Sequence, residues 1–153
     1  MLTQISEFIA TTTEPLILLT LAIIISIILY SKNNSKAILL ASTSLITAIV
    51  IKILKTTIQA PRPISNLIQE TGYSFPSGHT TFAVIFFGLL VYIFTKTKNQ
   101  KIIASVIATL TVTTIALSRL ILKVHYPIDI IGGLIIGTSI LIISILAHKK
   151  LTS

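Results

Sequence analysis

Five long apolar segments follow one another along the chain and constrain its fold more than any other feature. They cover residues 15–30, 37–54, 79–95, 102–121 and 127–147. Each is close to the ~17–25 apolar residues that a helix needs to cross the hydrocarbon core of a bilayer. Backbone polar groups in lipid must be hydrogen-bonded within the segment, and a helix achieves this. The pattern therefore predicts an all-α, polytopic transmembrane bundle of about five spans.

Composition supports a membrane protein and excludes several chemistries. Hydrophobic residues make up 53% of the 153-residue chain and charged residues 10%, with a mean hydropathy of +0.96. The chain has no cysteine, which excludes disulfides, thiolate catalysis and cysteine-ligated metal centres. The net charge is +8, but the lysines cluster at segment ends, as interfacial anchors do. We expect no nucleic-acid partner, because no basic face with interleaved aromatic residues is present.

The connectors between the segments predict one domain with one long loop. Residues 31–36 and 96–101 form short, lysine-bearing connectors, whereas 55–78 is long and contains proline and glycine. We expect the long connector to carry the functional loop. No internal repeat is evident, so residues 1–153 are predicted to form a single integral-membrane domain.

The terminal regions predict local structure. The first 14 residues contain no lysine or arginine and two glutamates, unlike a cleaved signal peptide, so we expect this region in the mature protein. Residues 2–10 fit either a short interfacial helix or a frayed terminus. Gly133 and Gly137 form a small-xxx-small pair, which predicts close helix packing. His148, beside a lysine, is expected at a solvated helix end.

Polar residues interrupt the apolar pattern at the ends of four segments. In a serpentine chain these four ends lie on one face of the membrane. Polar groups near hydrocarbon are costly and are typical of functional sites. The candidate site residues are Lys55, Arg62, Ser77, Gly78, His79, Arg119, His125 and Asp129.

These residue types suit a phosphate site. Two arginines and a lysine form an anion site, and guanidinium groups bind phosphate oxygens in pairs. A helix that begins near Ser77 would add main-chain N–H donors. Two histidines can supply a nucleophile and a proton donor, and Asp129 follows His125 by four residues, close enough to orient its ring. A metal site is the weaker alternative, since three cationic side chains would repel the ion; no metal or other cofactor is expected.

Three stretches resemble the phosphatase signature of the type 2 phosphatidic acid phosphatase superfamily. They are KTTIQAPRP at 55–63, PSGH at 76–79 and SRLILKVHYPID at 118–129. Every fixed position and spacing of that signature is met, and the resemblance extends over roughly residues 50–145. The superfamily also includes vanadium haloperoxidases and soluble acid phosphatases, so the resemblance alone leaves the substrate open.

The resemblance implies a role for each matching residue. His125 would be the nucleophile that forms a phosphohistidine, Asp129 its orienting partner, and His79 the acid that protonates the leaving group. The phosphoryl oxygens would be bound by Lys55, Arg62, Ser77, the Gly78 amide and Arg119. Membrane members commonly have six spans, so a chain with five implies a more open substrate groove, or one completed by a partner chain such as a second copy.

The implied activity is that of a metal-independent lipid phosphatase or diphosphatase. We expect a polyprenyl (undecaprenyl-type) diphosphate as substrate, with phosphatidic acid or phosphatidylglycerol phosphate as the alternative. A non-enzymatic lipid-phosphate binder or transporter is disfavoured, because both histidines and Asp129 are present.

The distribution of charge predicts the orientation in the membrane. The face away from the site carries seven lysines, at positions 32, 36, 96, 98, 101, 149 and 150, and the site face carries all four acidic residues. Positive residues favour the cytoplasmic side. We therefore predict a multi-pass cell-membrane protein with its active site on the outer face and its C-terminus in the cytoplasm. An outward site suits the recycling of a lipid carrier.

Overall fold

The computed structural model describes every residue except Asn66 and Ser153, and the described residues form helices and connectors without a strand. The all-α prediction is thus confirmed. The helices are α1 (Leu2–Thr12), α2 (Pro15–Tyr30), α3 (Asn34–Ile58), α4 (Gly78–Phe94), α5 (Lys98–Ile121) and α6 (Pro127–Thr152).

All five apolar segments fold as helices, and α2 has the predicted bounds. α3, α5 and α6 extend beyond theirs, because their terminal turns are polar and hydropathy does not detect them. At the start of α3 the Asn33 side chain accepts a hydrogen bond from the Lys36 amide. At the start of α5, Thr97 and Gln100 form a capping box. Both devices satisfy amides that the first helical turn leaves unpaired.

The number of membrane crossings depends on how the shorter helices are counted. Among the described residues α3, α5 and α6 are long and apolar enough to cross a bilayer. α1 and α2 together form a fourth span if this pair, bent by 42°, is taken as one. α4 is an apolar helix of 17 residues. The structure is that of a multi-pass membrane protein, and the count of about five spans stays a prediction.

α4 is the central helix of the bundle. It packs against α2, α3, α5 and α6, and it contributes ten buried residues. Two glycines of α6 pack closely against α4 and the residue that caps it. A Cβ atom at Gly133 would lie 3.0 Å from the Ser77 carbonyl oxygen, and one at Gly137 would lie 3.0 Å from the Val84 Cβ. The predicted close packing at this pair is confirmed, and it fixes the start of α6 beside the start of α4.

Two terminal regions are more ordered than the sequence indicates. Residues 2–10 belong to the helix α1, which packs against α5. The prediction of a solvated His148 is wrong. Its Nε2 lies 3.0 Å from the Ser35 hydroxyl and its Nδ1 lies 3.0 Å from the Tyr92 hydroxyl, both in half-buried surroundings. The sequence could not predict this contact, because it joins residues from three different helices.

Candidate active site

A cavity of about 550 Å³ that contains several charged side chains lies where the C-terminal ends of α3 and α5 meet the N-terminal end of α4 and the residues just before α6. α1, the start of α2 and the long connector complete its wall. Six of the eight predicted site residues line this cavity: Lys55, Arg62, Gly78, His79, Arg119 and His125. The structure therefore brings together residues that are up to 70 positions apart in the sequence.

Asp129 lies behind His125 and is 1% exposed. α6 begins at Pro127, a residue favoured in the first helical turn. The Asp129 carboxylate then accepts hydrogen bonds from the Tyr126 amide at 2.8 Å and from His125 Nδ1 at 3.3 Å. The Ser74 hydroxyl donates to its other oxygen at 3.4 Å. The Asp129 carboxylate thus accepts a main-chain hydrogen bond at the start of α6 and also orients the imidazole ring.

The imidazole of His125 is held on both sides. With its hydrogen on Nδ1, facing Asp129, the ring presents a lone pair at Nε2, which lies 3.4 Å from Arg62 Nη1. Burial, followed by the charges of Arg62 and Arg119, lowers the pKa of His125 to about 2. A buried imidazole among cations stays neutral, and the neutral form is the one that can act as a nucleophile.

His79 stands in the first turn of α4 on the cavity wall. Its Nε2 lies 3.1 Å from the Ala10 carbonyl oxygen of α1. The N-terminal helix therefore contacts a predicted catalytic residue, which the sequence did not indicate. α1 also contributes Glu7 and Thr11 to the cavity lining.

Ser77 differs from its predicted neighbours, because it is fully buried and does not line the cavity. Its hydroxyl caps α4, accepting from the Thr80 amide at 3.5 Å and from the Thr80 hydroxyl at 3.1 Å. Its main-chain amide donates to the Asp129 carbonyl at 3.1 Å. In this arrangement Ser77 positions the Gly78 amide at the cavity, and direct phosphate binding by its hydroxyl stays a prediction.

The cationic side chains donate to the connector segment 70–74. Lys55 Nζ bonds two main-chain carbonyls of this segment, one of them at 3.4 Å. Arg62 bonds two others, from Nε at 3.1 Å and from Nη2 at 3.2 Å. The acceptors are Tyr73 and Ser74 for the lysine, and Gly72 and Thr71 for the arginine. Burial lowers the pKa of Arg62 from its ordinary value, and the neighbouring Glu70 opposes this shift.

Glu70 is a site residue that the motifs do not include. One of its carboxylate oxygens forms an ion pair with Arg119 Nη2, and the other lies 3.6 Å from Arg62 Nη2. The sequence does hold a weak signal, since all four acidic residues fall on the site side. Glu7 and Glu14 also line the cavity. The conformation of the connector, which the sequence does not reveal, selects Glu70 from these.

Arg119 is 1% exposed, and its Nε has no hydrogen-bond partner among the described residues. A buried donor without a partner is costly and is typical of a site that awaits a ligand. Within the described residues no three His, Asp or Glu side chains are grouped as a metal site requires. The donors at this cavity suit an oxyanion.

A family model and a curated relative match the chain. The family model described as the PAP2 superfamily matches residues 16–153. The chain is 37% identical over 95 residues to phosphatidylglycerophosphatase B of Bacillus subtilis (strain 168), a match that covers 56% of this chain and 45% of that protein. The matched region therefore spans less than half the length of this relative.

Two solved structures share the fold. The first is a transmembrane PAP2 type phosphatidylglycerolphosphate phosphatase from Bacillus subtilis, with a TM-score of 0.85 and 25% identity over 97% of this chain and 77% of that chain. The second is LpxE of Aquifex aeolicus, with a TM-score of 0.74 and 25% identity over 94% of this chain and 85% of that chain.

Proposed function

The chain belongs to the PAP2 superfamily, and from this premise we propose that it is an integral-membrane lipid phosphatase, formed by residues 1–153 as a single domain. One observation carries the proposal. His125 presents Nε2 to a cavity lined by Lys55, Arg62 and Arg119, while its Nδ1 is held by Asp129. A neutral imidazole beside an anion site is the arrangement that nucleophilic attack on a phosphate ester requires.

The reaction proceeds in two steps. His125 Nε2 attacks phosphorus, the bond from phosphorus to the leaving oxygen breaks, and His79 donates a proton to that oxygen. Water then attacks the phosphohistidine while His79 takes up the proton, and inorganic phosphate leaves with the imidazole restored. Asp129 stabilises the ring while it carries positive charge. The phosphoryl oxygens are bound by the Gly78 amide and by the cationic side chains Lys55, Arg62 and Arg119.

For the substrate we favour a phosphate monoester of a glycerophospholipid, such as phosphatidylglycerol phosphate. The support comes from the curated relative and from the first solved structure, which are both from Bacillus subtilis and both named for activity on this lipid. A polyprenyl diphosphate, the substrate expected from the sequence, is the second candidate. The cavity of about 550 Å³ with three cationic side chains favours it, since this space and charge suit more than one phosphoryl group.

An apolar groove next to the cavity supports a lipid substrate. It has a volume of about 510 Å³, lies between α2, α3 and α4, and shares Pro15, Leu16 and Lys55 with the cavity. Leu19, Ala48 and Phe82 form part of its wall. A hydrocarbon chain in this groove would place its headgroup phosphate beside the cations, because the two spaces meet at Lys55.

The test is a substrate panel on the purified protein. Phosphatidylglycerol phosphate, phosphatidic acid and a polyprenyl diphosphate are compared at equal detergent ratios by release of inorganic phosphate. We expect the highest kcat/KM for a glycerophospholipid phosphate, and the absence of hydrolysis of all three would refute the proposal.

Activity should persist in excess EDTA, because the proposed chemistry needs no metal. Loss on chelation with recovery on adding a divalent cation would contradict the metal-independent mechanism.

A further inference from the structure

Glu70 occupies the position where a phosphoryl group would contact the arginines. Its two carboxylate oxygens face different guanidinium groups, Oε1 towards Arg119 and Oε2 towards Arg62. Oxygens that bridge two arginines form the same pattern of charge-assisted contacts that a phosphate accepts. The protein therefore provides its own anion at this site.

The carboxylate leaves the site partly unsatisfied. Arg119 Nε is buried and has no partner among the described residues, although the same guanidinium pairs with Glu70 through Nη2. A carboxylate has two oxygens, and both are already directed at arginines. A phosphate monoester presents three terminal oxygens, so it can replace both contacts and still bond the unpaired donor.

The exposure and the position of Glu70 favour its exchange with a bound anion over a fixed structural role. Its side chain is 28% exposed, whereas that of Arg119 is 1% exposed. Glu70 lies in the connector, as Arg62 does, whereas Arg119 lies on α5. In the pair with Arg119 the partner that can move is therefore the carboxylate, because the arginine is held by the bundle.

We propose that Glu70 is a displaceable counter-ion, which pairs with Arg62 and Arg119 in the resting site and is replaced there by the phosphate of the substrate. This inference rests on the proposed phosphatase function. The carboxylate stabilises two nearby guanidinium groups that would otherwise repel each other, and it competes with weakly bound anions. The binding of any phosphate at this site is then weakened by the free energy of the Glu70 contacts that it breaks.

Direct binding of inorganic phosphate to the purified protein tests this inference. Titration calorimetry is performed on the natural protein, on Glu70→Gln and on Glu14→Gln. Glu14→Gln is the matched control, because it removes the same charge from the same cavity and its carboxylate forms no ion pair with a described residue. We expect the phosphate Kd of Glu70→Gln to fall about tenfold, as expected when charged contacts no longer compete. The Glu14→Gln value should change by no more than about twofold, as is usual for an exposed charge.

A third variant separates the effect of the negative charge from the effect of side-chain length. Glu70→Asp keeps the negative charge on a side chain one methylene shorter, so it cannot bridge both arginines, and we expect its phosphate Kd to lie between those of the natural protein and Glu70→Gln. An unchanged or higher Kd in Glu70→Gln overturns the counter-ion role and would mark Glu70 as a residue that positions the arginines. Hydrolysis of lipid phosphate by the natural protein, measured separately, shows whether the proposed function itself holds. If none of the proteins binds phosphate, the inference fails with the anion site.

Discussion

Each end of the helical bundle holds a histidine, and the two have different surroundings. His148 is half-buried and His125 is buried. At the end away from the cavity, His148 is hydrogen-bonded to two neutral hydroxyls, those of Ser35 and Tyr92, and its ring packs edge-on against Tyr92. At the cavity end, His125 lies between a carboxylate and a guanidinium, with Nε2 facing the cavity. Both nitrogens of His148 serve helix packing, whereas one nitrogen of His125 remains directed at a ligand space.

The comparison indicates which buried polar groups contribute to stability and which contribute to binding. Groups with neutral, satisfied partners, such as His148, join helices at little electrostatic cost. The cavity end keeps three cations close together and leaves Arg119 Nε without a hydrogen-bond partner in the described part of the chain. Such an arrangement opposes folding and is compensated when an anion binds.

The largest expected effect separates the two histidines. His125→Ala should lower kcat/KM for lipid phosphate by about a thousandfold or more, because removing a nucleophile abolishes the covalent route. His148→Ala should leave kcat/KM within about twofold and lower the free energy of unfolding by about 1 kcal/mol, as expected for lost hydrogen bonds. Phosphate release assays and thermal melts in the same detergent measure both. Near-normal turnover of pure His125→Ala would show that the nucleophile is assigned wrongly.

His79→Ala should have a smaller effect that depends on the leaving group. A general acid contributes about 10²–10⁴-fold where the leaving oxygen is basic, as in a lipid alkoxide. The loss should be much smaller for an aryl phosphate such as p-nitrophenyl phosphate, whose leaving oxygen needs no proton. The measurement is the ratio of kcat/KM values for the two substrates, because kcat/KM reports the steps up to loss of the leaving group and excludes the hydrolysis of the phosphohistidine that both substrates share. Equal slowing of both would contradict the general-acid role.

An apolar groove lies near each end of the α2–α3 interface, and only the groove beside the cavity is expected to hold the hydrocarbon chain of the substrate. Ala48 lies in the groove beside the cavity, and Ala41 lies in an apolar space of about 340 Å³ between the same helices near the other end. Ala48→Phe should raise KM for long-chain substrates about tenfold, because the added ring fills space that the chain would occupy. Ala41→Phe is the matched control and should leave KM unchanged. Equal effects of the two substitutions would remove the groove from the substrate path.

The two ends of the bundle are predicted to face opposite sides of the membrane, and a labelling experiment tests this without an activity assay. Lys98 begins α5 and Lys123 follows its end, so the two positions lie about 36 Å apart along the helix axis at ~1.5 Å per residue. Because the chain has no cysteine, Lys98→Cys and Lys123→Cys each introduce a single thiol. In intact cells a membrane-impermeant reagent should label position 123 and not position 98. The reverse labelling would place the cavity on the cytoplasmic face and refute the predicted orientation.

Much of this architecture could be predicted because it depends on local sequence. Hydropathy locates all five apolar helices, and motif spacing brings Lys55, His79 and His125 to one cavity. The sequence does not predict the contact of α1 with His79, because that contact depends on tertiary packing through the Ala10 carbonyl. The position of Glu70 is not predictable for the same reason. Its pairing with Arg119 depends on the path of a connector that lacks regular periodicity.

We expect His125 to carry the phosphoryl group as a covalent intermediate during turnover. The direct measurement is rapid acid-free quenching of the enzyme with lipid substrate labelled with ³²P on the transferred phosphate, followed by gel analysis after acid or alkali treatment. We expect a labelled protein band that is lost in acid and stable in alkali, as a phosphohistidine is, and that is absent in His125→Ala but present in His148→Ala. A band of equal intensity in His125→Ala, or no band in any protein during rapid hydrolysis, would contradict the account.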